Sequence, residues 1–217
     1  LMRRMASPIR GSIEIMRSNG DTMSVGQAAA QPVLMMESGP VAGMLGAGQI
    51  ARLFGMHRCI GFDMGGTTAK ATLITDGVPA IEEGYYIGGY ANGQPMQLPV
   101  VDIVEVGTGG GSIAWCDAAG GLHVGPQSAG ADPGPACYGK GGEDPVITDA
   151  DLLLGRLNPG RFLGGGMNLD PARSAAAIRA KVAGRLGLGV EEAALGICRI
   201  ADSAMGLAVR AVSVNKG

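Results

Sequence analysis

At 217 residues, with 46% hydrophobic residues, 17% charged residues and a net charge of −2, the chain is long enough to bury a core and too apolar for disorder. The near-neutral charge excludes the basic footprint of a nucleic-acid binder. No run of eighteen apolar residues and no signal-peptide core is present, so no membrane span is expected, and the protein reads as soluble and cytoplasmic.

Cys59, Cys116, Cys137 and Cys198 form no CxxC pair and sit in apolar or Gly-rich settings, which reads as buried free thiols rather than zinc ligands or disulfides. The 39 glycines are not periodic; they cluster at Gly65-Gly66, Gly88-Gly89, Gly109-Gly110-Gly111, Gly120-Gly121, Gly141-Gly142 and Gly164-Gly165-Gly166. Such clusters between regular elements mark turns or close backbone approach. A start at Leu1 and a stop at Gly217, just past a helical pattern, is what a domain cut from a longer polypeptide would look like.

The first thirty residues have no sustained period and read as a helix end followed by a loop. From Ser38-Gly39-Pro40 the pattern sharpens, with Ser38 as a cap, Pro40 in the first turn, and Val41, Leu45, Ile50, Leu53 and Phe54 on one face of a helix ending near Gly55. Residues 59–63, 69–74 and 81–87 read as a three-strand meander, and residues 100–106 and 112–117 as a further pair, followed by a stretch at Leu122-His123-Val124. Residues 128–142 hold too many Gly and Pro for an element interior and read as ordered loop or lid.

Thr148 then caps a short helix ending near Gly155. Asp170-Pro171 opens another helix to about Leu186, in cap-plus-Pro order. Residues 190–214 form the longest periodic stretch, with Ala194, Ile197, Ala201, Ala204, Ala208 and Ala211 as a small-residue packing face. The order predicts an α/β chain, a mixed sheet with helices packed on it, divided into an N-terminal helix/loop segment over 1–36 and a domain over 37–217 that is sheet-rich to about 147 and helical after.

Chemistry concentrates at Phe62-Asp63-Met64-Gly65-Gly66-Thr67-Thr68, between two strands. Gly65 and Gly66 let backbone N–H groups face a phosphate, and the Thr67 and Thr68 hydroxyls add donors. Asp63 could hold a magnesium ion, through water. Lys70 either reaches a phosphate or points to solvent. An ordinary hairpin turn would also account for these residues.

The second run, Val106-Gly107-Thr108-Gly109-Gly110-Gly111-Ser112, fits neither a Walker A loop nor a dinucleotide fingerprint; Gly109, Gly110, Gly111 and Ser112 read as a close approach of another backbone or of a ligand. Asp102 and Glu105 lie on alternating strand faces, so at most one faces that pocket. Asp132, Asp149, Asp151, His57 and His123 have no partner at a diagnostic spacing and read as caps or solvated groups.

These motifs, together with Val124-Gly125-Pro126-Gln127-Ser128-Ala129-Gly130-Ala131, Pro133-Gly134-Pro135-Ala136-Cys137-Tyr138-Gly139 and Thr148-Asp149-Ala150, resemble the central part of the hydantoinase A / oxoprolinase family. The resemblance runs from Glu37 to Leu157. It implies part of an actin-like fold, as in sugar kinases and Hsp70-type ATPases, and ATP-dependent opening of a small cyclic amide such as a hydantoin or 5-oxoproline. ATP would phosphorylate the amide carbonyl oxygen, and a hydantoinase B type subunit or domain would complete hydrolysis.

Family members carry a second acidic-Gly-Gly-Thr turn near the N-terminus and a Gly-Gly-Ala-Gly-Pro adenosine segment further on; only the middle turn is present here. Many have Asp where Lys70 stands, so metal binding carries over to Asp63 alone. The expected ligands are ATP and Mg2+, held by Asp63, Gly65, Gly66, Thr67, Thr68, Lys70, Gly109, Gly110, Gly111 and Ser112, with no catalytic base assigned. Related ketone carboxylases share this subunit, and a non-catalytic assembly module is the competing class. A left-open apolar surface would suit a second copy in a homo-oligomer or a missing neighbour.

Overall fold

The structure, a computed structural model, describes residues 11–87 and 93–214. Contacts divide the chain into two compact units, one of Leu1–Asp63, Ala71–Val104 and Val212–Gly217, the other of Met64–Lys70 and Glu105–Ala211.

In the first unit, strands β1 (Glu14–Met16) and β2 (Thr22–Ser24) pair antiparallel and lead into helix α1 (Val25–Ala30). Ser24 and Gln27 cap α1 reciprocally, each side chain taking the other's backbone N–H. A hairpin and a capped helix thus replace the helix end and loop expected over the described part of the first thirty residues. That helix is short and its hairpin has three-residue strands, too little chain for a period to register.

Helix α2 (Ser38–Leu53) forms as expected, with different details. Ser38 is its first residue and not its cap; Glu37 holds the cap position in the left-handed region (φ 58°), and its side chain does not cap the helix. The buried face is Val41, Met44, Gly48 and Ala51, while Ile50, Leu53 and Phe54 are exposed, Leu53 at 81%. Gly48 lies inward where the helix approaches backbone closely: a Cβ there would collide with the Gly77 carbonyl. Val41 and Met44 bury apolar surface on the same face.

Strands β3 (Arg58–Met64) and β4 (Ala69–Thr75) pair, and β5 (Val78–Pro79) adds to β4 after the Asp76-Gly77 turn. The third strand of the expected meander is therefore the two-residue β5. Strand β6 (Ile81–Ile87) instead pairs antiparallel with β7 (Gln94–Val101), from Ile81 opposite Val101 to Ile87 opposite Gln94. Strand β8 (Val104–Val106) pairs with β4 rather than continuing β7, so residues 100–106 are not one strand.

In the second unit, β9 (Ser112–Cys116) and β10 (Leu122–Ser128) pair antiparallel, with a register shift between Val124 and Ser128. Helices α3 (Ile147–Leu153), α4 (Pro171–Ile178), α5 (Gly184–Leu186) and α6 (Val190–Val212) follow, a π-helical turn at Arg179–Ala183 joining α4 to α5. Asp170 caps α4 through the Ala172 and Arg173 N–H groups, at 2.9 and 3.3 Å, as its Asp-Pro order predicts. The core packs Ala114 and Cys116 of β9 and Ile147 and Ala150 of α3 against Ile178, Val182, Ala194, Ile197 and Ala201. Ala194, Ile197, Ala201 and Ala208 of the expected α6 face are buried.

Candidate functional site

The Gly65-Gly66-Thr67-Thr68 segment closes the β3–β4 hairpin, with Gly65 N–H donating to the Thr68 carbonyl at 2.9 Å. Gly65, Gly66 and Thr67 are exposed. Neither glycine has a positive φ. A Cβ on Gly65 would make only ordinary contact, 3.5 Å from the Thr68 carbonyl oxygen, and one on Gly66 would meet nothing within 4 Å. Among the described residues nothing demands glycine at 66.

The second glycine run is the opposite case. Gly110 N–H donates to the Gly65 carbonyl (3.0 Å) and Gly111 N–H to the Gly66 carbonyl (2.6 Å), so the two runs are laced together. A Cβ on Gly109 would fall 2.6 Å from the Thr67 backbone N and 2.7 Å from the Gly65 oxygen, and one on Gly111 2.9 Å from the Gly66 oxygen. Gly109 N–H donates to Ser112 Oγ (2.9 Å) and Ser112 N–H to the Gly109 carbonyl (2.8 Å). Ser112 is fully buried. The N–H groups of Gly109, Gly110, Gly111 and Ser112 are all spent on protein acceptors. Of the two approaches expected there, backbone or ligand, the structure has the backbone.

This lacing orients the first turn. In a trans peptide unit the C=O and the following N–H lie in one rigid plane and point in opposite directions. With the Gly65 and Gly66 carbonyls turned toward Gly110 and Gly111, the N–H groups of Gly66 and Thr67 point away from them, and neither donates to any acceptor among the described hydrogen bonds. Two adjacent outward N–H groups offer donors that an anion can accept from.

Lys70, on β4, is only 12% exposed in its side chain. Its ammonium donates to Thr68 Oγ1 at 2.7 Å and pairs with Glu105 of β8 at 3.1 Å. Lys70 thus does not simply point to solvent; its ammonium is held by Thr68 and Glu105. Accepting from Lys70 leaves the Thr68 hydroxyl proton free to donate elsewhere. Asp63 lies exposed on β3, two residues before Gly65 in the chain. No group of three His, Cys, Asp or Glu side chains suited to a metal occurs among the described residues. A single carboxylate fits magnesium only where phosphate and water supply its other ligands.

Two expectations about the remaining polar residues are corrected. Thr148 does not cap α3: it lies inside the first turn and donates through N–H (2.9 Å) and Oγ1 (2.8 Å) to the Gly110 carbonyl. Asp149 is no solvated cap but fully buried, accepting from the N–H groups of Ala136 (3.1 Å), Cys137 (2.9 Å) and Val146 (3.1 Å) and from Ser174 Oγ (2.6 Å). Only the Val146 bond is a local cap. Partners 12 to 25 residues away leave no signature at helical spacing.

The same bonds turn the Gly-Pro loop into an anchored one, with Ala136 and Cys137 buried rather than poised as a lid. Burial, and then the neighbouring Asp149 charge, push the Cys137 thiol up to about 12. Cys116, Cys137 and Cys198 are buried free thiols as expected, and Cys59 is half-buried. Asp151 pairs with Arg156 at 2.9 Å. His123 stacks on Trp115 and bonds Asp117 at 2.6 Å, and that histidine is the main cause of the lowered Asp117 pKa. His57 pairs with Asp76 at the surface.

The hydantoinase/oxoprolinase family model matches residues 5–217. The chain belongs to the hydantoinase/oxoprolinase family. It is 40% identical over 201 residues to caprolactamase subunit alpha of Pseudomonas jessenii, covering 93% of this chain and 28% of that one. The crystal structure of the ATP-dependent caprolactamase from that organism matches with a TM-score of 0.78 at 36% identity, over 100% of this chain and 31% of the other. The nucleotide-free structure of acetone carboxylase, from work on ATP-dependent acetone carboxylation, matches with a TM-score of 0.79 at 33% identity, over 95% and 28%. The 5-oxoprolinase of Saccharomyces cerevisiae is 35% identical over 217 residues, 94% of this chain and 16% of that one. The chain thus spans less than a third of the length of each relative. The α/β architecture expected from the sequence holds and is consistent with part of an actin-like ATPase fold. No helix among the described residues is long and apolar enough to cross a membrane.

Proposed function

We propose that this chain supplies a phosphate-binding turn to an ATP-dependent enzyme that opens cyclic amides. The carrying observation is Gly66: an exposed glycine with ordinary φ and open space where its Cβ would stand, beside two N–H groups aimed outward. Glycine there is idle for the fold and useful for a ligand that approaches the backbone closely. Gly65, Gly66, Thr67 and Thr68 contact the terminal phosphates. Gly109, Gly110, Gly111 and Ser112 hold that turn in shape without touching nucleotide, and Lys70 acts through the Thr68 hydroxyl and through its charge.

Asp63 would hold a phosphate-bound magnesium ion, whose charge would offset that of the phosphates. Fixed donors then stabilise the charge that develops as the amide carbonyl oxygen attacks the terminal phosphorus and ADP leaves. The relatives support the reading: one solved neighbour is an ATP-dependent caprolactamase, and a curated relative is a 5-oxoprolinase. Partner subunits of the hydantoinase B type would complete hydrolysis.

A ketone carboxylase role is the second reading, favoured by the equally good match to acetone carboxylase. The test is nucleotide turnover by the full-length polypeptide with its partner. ADP release driven by a lactam or hydantoin without bicarbonate supports the amidase, and release that needs a ketone and bicarbonate supports the carboxylase. An unchanged Kd for Mg-ATP in Gly66→Val would overturn the phosphate turn itself.

A further inference from the structure

Behind the laced glycines lies a second layer of support. The Gly110 carbonyl receives two donors from one residue, Thr148 N–H at 2.9 Å and Thr148 Oγ1 at 2.8 Å. That carbonyl shares its peptide plane with the Gly111 N–H, which donates to the Gly66 carbonyl at 2.6 Å. The Gly66 carbonyl in turn shares its plane with the outward Thr67 N–H. Two rigid trans planes therefore stand in series between Thr148 and a donor at the ligand side, and turning the first plane re-aims the second. Hydrogen bonds in such a chain also polarise one another in the same direction.

Thr148 is fixed by its neighbour. The Asp149 carboxylate, wholly removed from water, uses Oδ2 for Val146 and Ala136 and Oδ1 for Cys137 and Ser174. Two donors on each oxygen compensate the buried charge and tie the start of α3 to α4 and to the Gly-Pro loop. The first turn of α3 is thus held from three directions, and Thr148 with it.

We propose that Thr148, anchored by the buried Asp149 carboxylate, is a positioning residue that aims the Thr67 N–H through the Gly110–Gly111 and Gly66–Thr67 peptide planes. The proposal rests on the reading that the 65–68 turn contacts phosphate. Thr148 touches no nucleotide; its effect is on the direction of a donor. Thr148→Val keeps the side-chain volume and the N–H bond while removing the hydroxyl, and Thr148→Ser restores it.

The experiment is calorimetric titration of the full-length polypeptide with Mg-ATP and with adenosine, for wild type, Thr148→Val, Thr148→Ser and Gly66→Val, with a thermal melt for each. The expected result is a roughly three- to tenfold weaker Kd for Mg-ATP in Thr148→Val, as loss of one hydrogen bond would give. Adenosine binding should be unchanged, since a merely loosened fold would weaken both ligands. Thr148→Ser should recover most of the loss.

Gly66→Val losing Mg-ATP while Thr148→Val binds it like wild type would overturn the positioning role alone. Gly66→Val binding like wild type would sink the phosphate turn, and the positioning role with it. If Thr148→Val does not fold, hydrogen–deuterium exchange on the unmutated protein decides. Gly111 N–H should be protected and become slower still with Mg-ATP, because the coupling is reciprocal. A Gly111 amide that ignores the nucleotide would overturn the proposal.

Discussion

The two glycine runs of the second unit look alike in sequence and are opposites in structure. At Gly109 and Gly111 glycine is required by the protein, because a Cβ would enter the backbone of the facing turn. At Gly66 it is required by nothing among the described residues. Glycine therefore signals two different things here, a backbone that another backbone must approach and a backbone left open. The second condition is the one a ligand exploits, and the first keeps the open turn from relaxing around its own polar groups.

The comparison can be broken by substitutions, beginning behind the braced run. Asp149→Ala would strand four buried donors, three backbone N–H groups and the Ser174 hydroxyl, and is expected to cost about 4 kcal/mol or more of stability, read by urea unfolding. An effect below about 1 kcal/mol would mean that the anchor is not closed in solution.

Gly109→Ala should cost on the order of 3 kcal/mol, since its Cβ meets backbone that cannot rotate away, and the matching loss of melting temperature checks it. Gly66→Ala should leave stability within about 0.5 kcal/mol of wild type while weakening Mg-ATP binding about tenfold, roughly 1.4 kcal/mol. Equal melting losses for Gly66→Ala and Gly109→Ala would abolish the distinction between the two runs.

The last effect, absent at neutral pH, is on pH dependence in the same unit. The Cys137 and Cys198 thiols are raised from 9.0 to about 12, in each case first by burial. Unfolded thiols ionise above about 9 while the folded ones keep their protons, so the unfolded state binds fewer protons in that window. Stability should therefore fall as pH rises from about 9 to about 12 and show no thiol contribution below it. In the native protein at pH 8 iodoacetamide should modify Cys59 well before Cys137 or Cys198. Rapid native labelling of Cys137 would show the Gly-Pro loop open.

Local physics made much of the fold legible. Asp170-Pro171 announced the start of α4, because a cap and a pre-set φ act within three residues. The long period of α6 showed its buried Ala and Ile face. The α2 face was legible at Val41 but not at Ile50, Leu53 and Phe54, which are exposed because the close approach of Gly48 to Gly77 turns the helix the other way. The third strand was misassigned because Ile81–Ile87 has strand character with any partner, and only the fold chose β7.

By itself the sequence determined that two glycine runs would sit beside strands, that one would carry an Asp and two Thr, and that helices would follow. It also carried the family resemblance. Only the tertiary structure decided which run stays open: Gly110 with Gly65, Gly111 with Gly66, and Thr148 with Gly110 are pairs separated by some forty residues of chain. Hydrogen bonds over such separations leave no period and no spacing to read. Their direction, inward at one run and outward at the other, exists only once the peptide planes are fixed against each other.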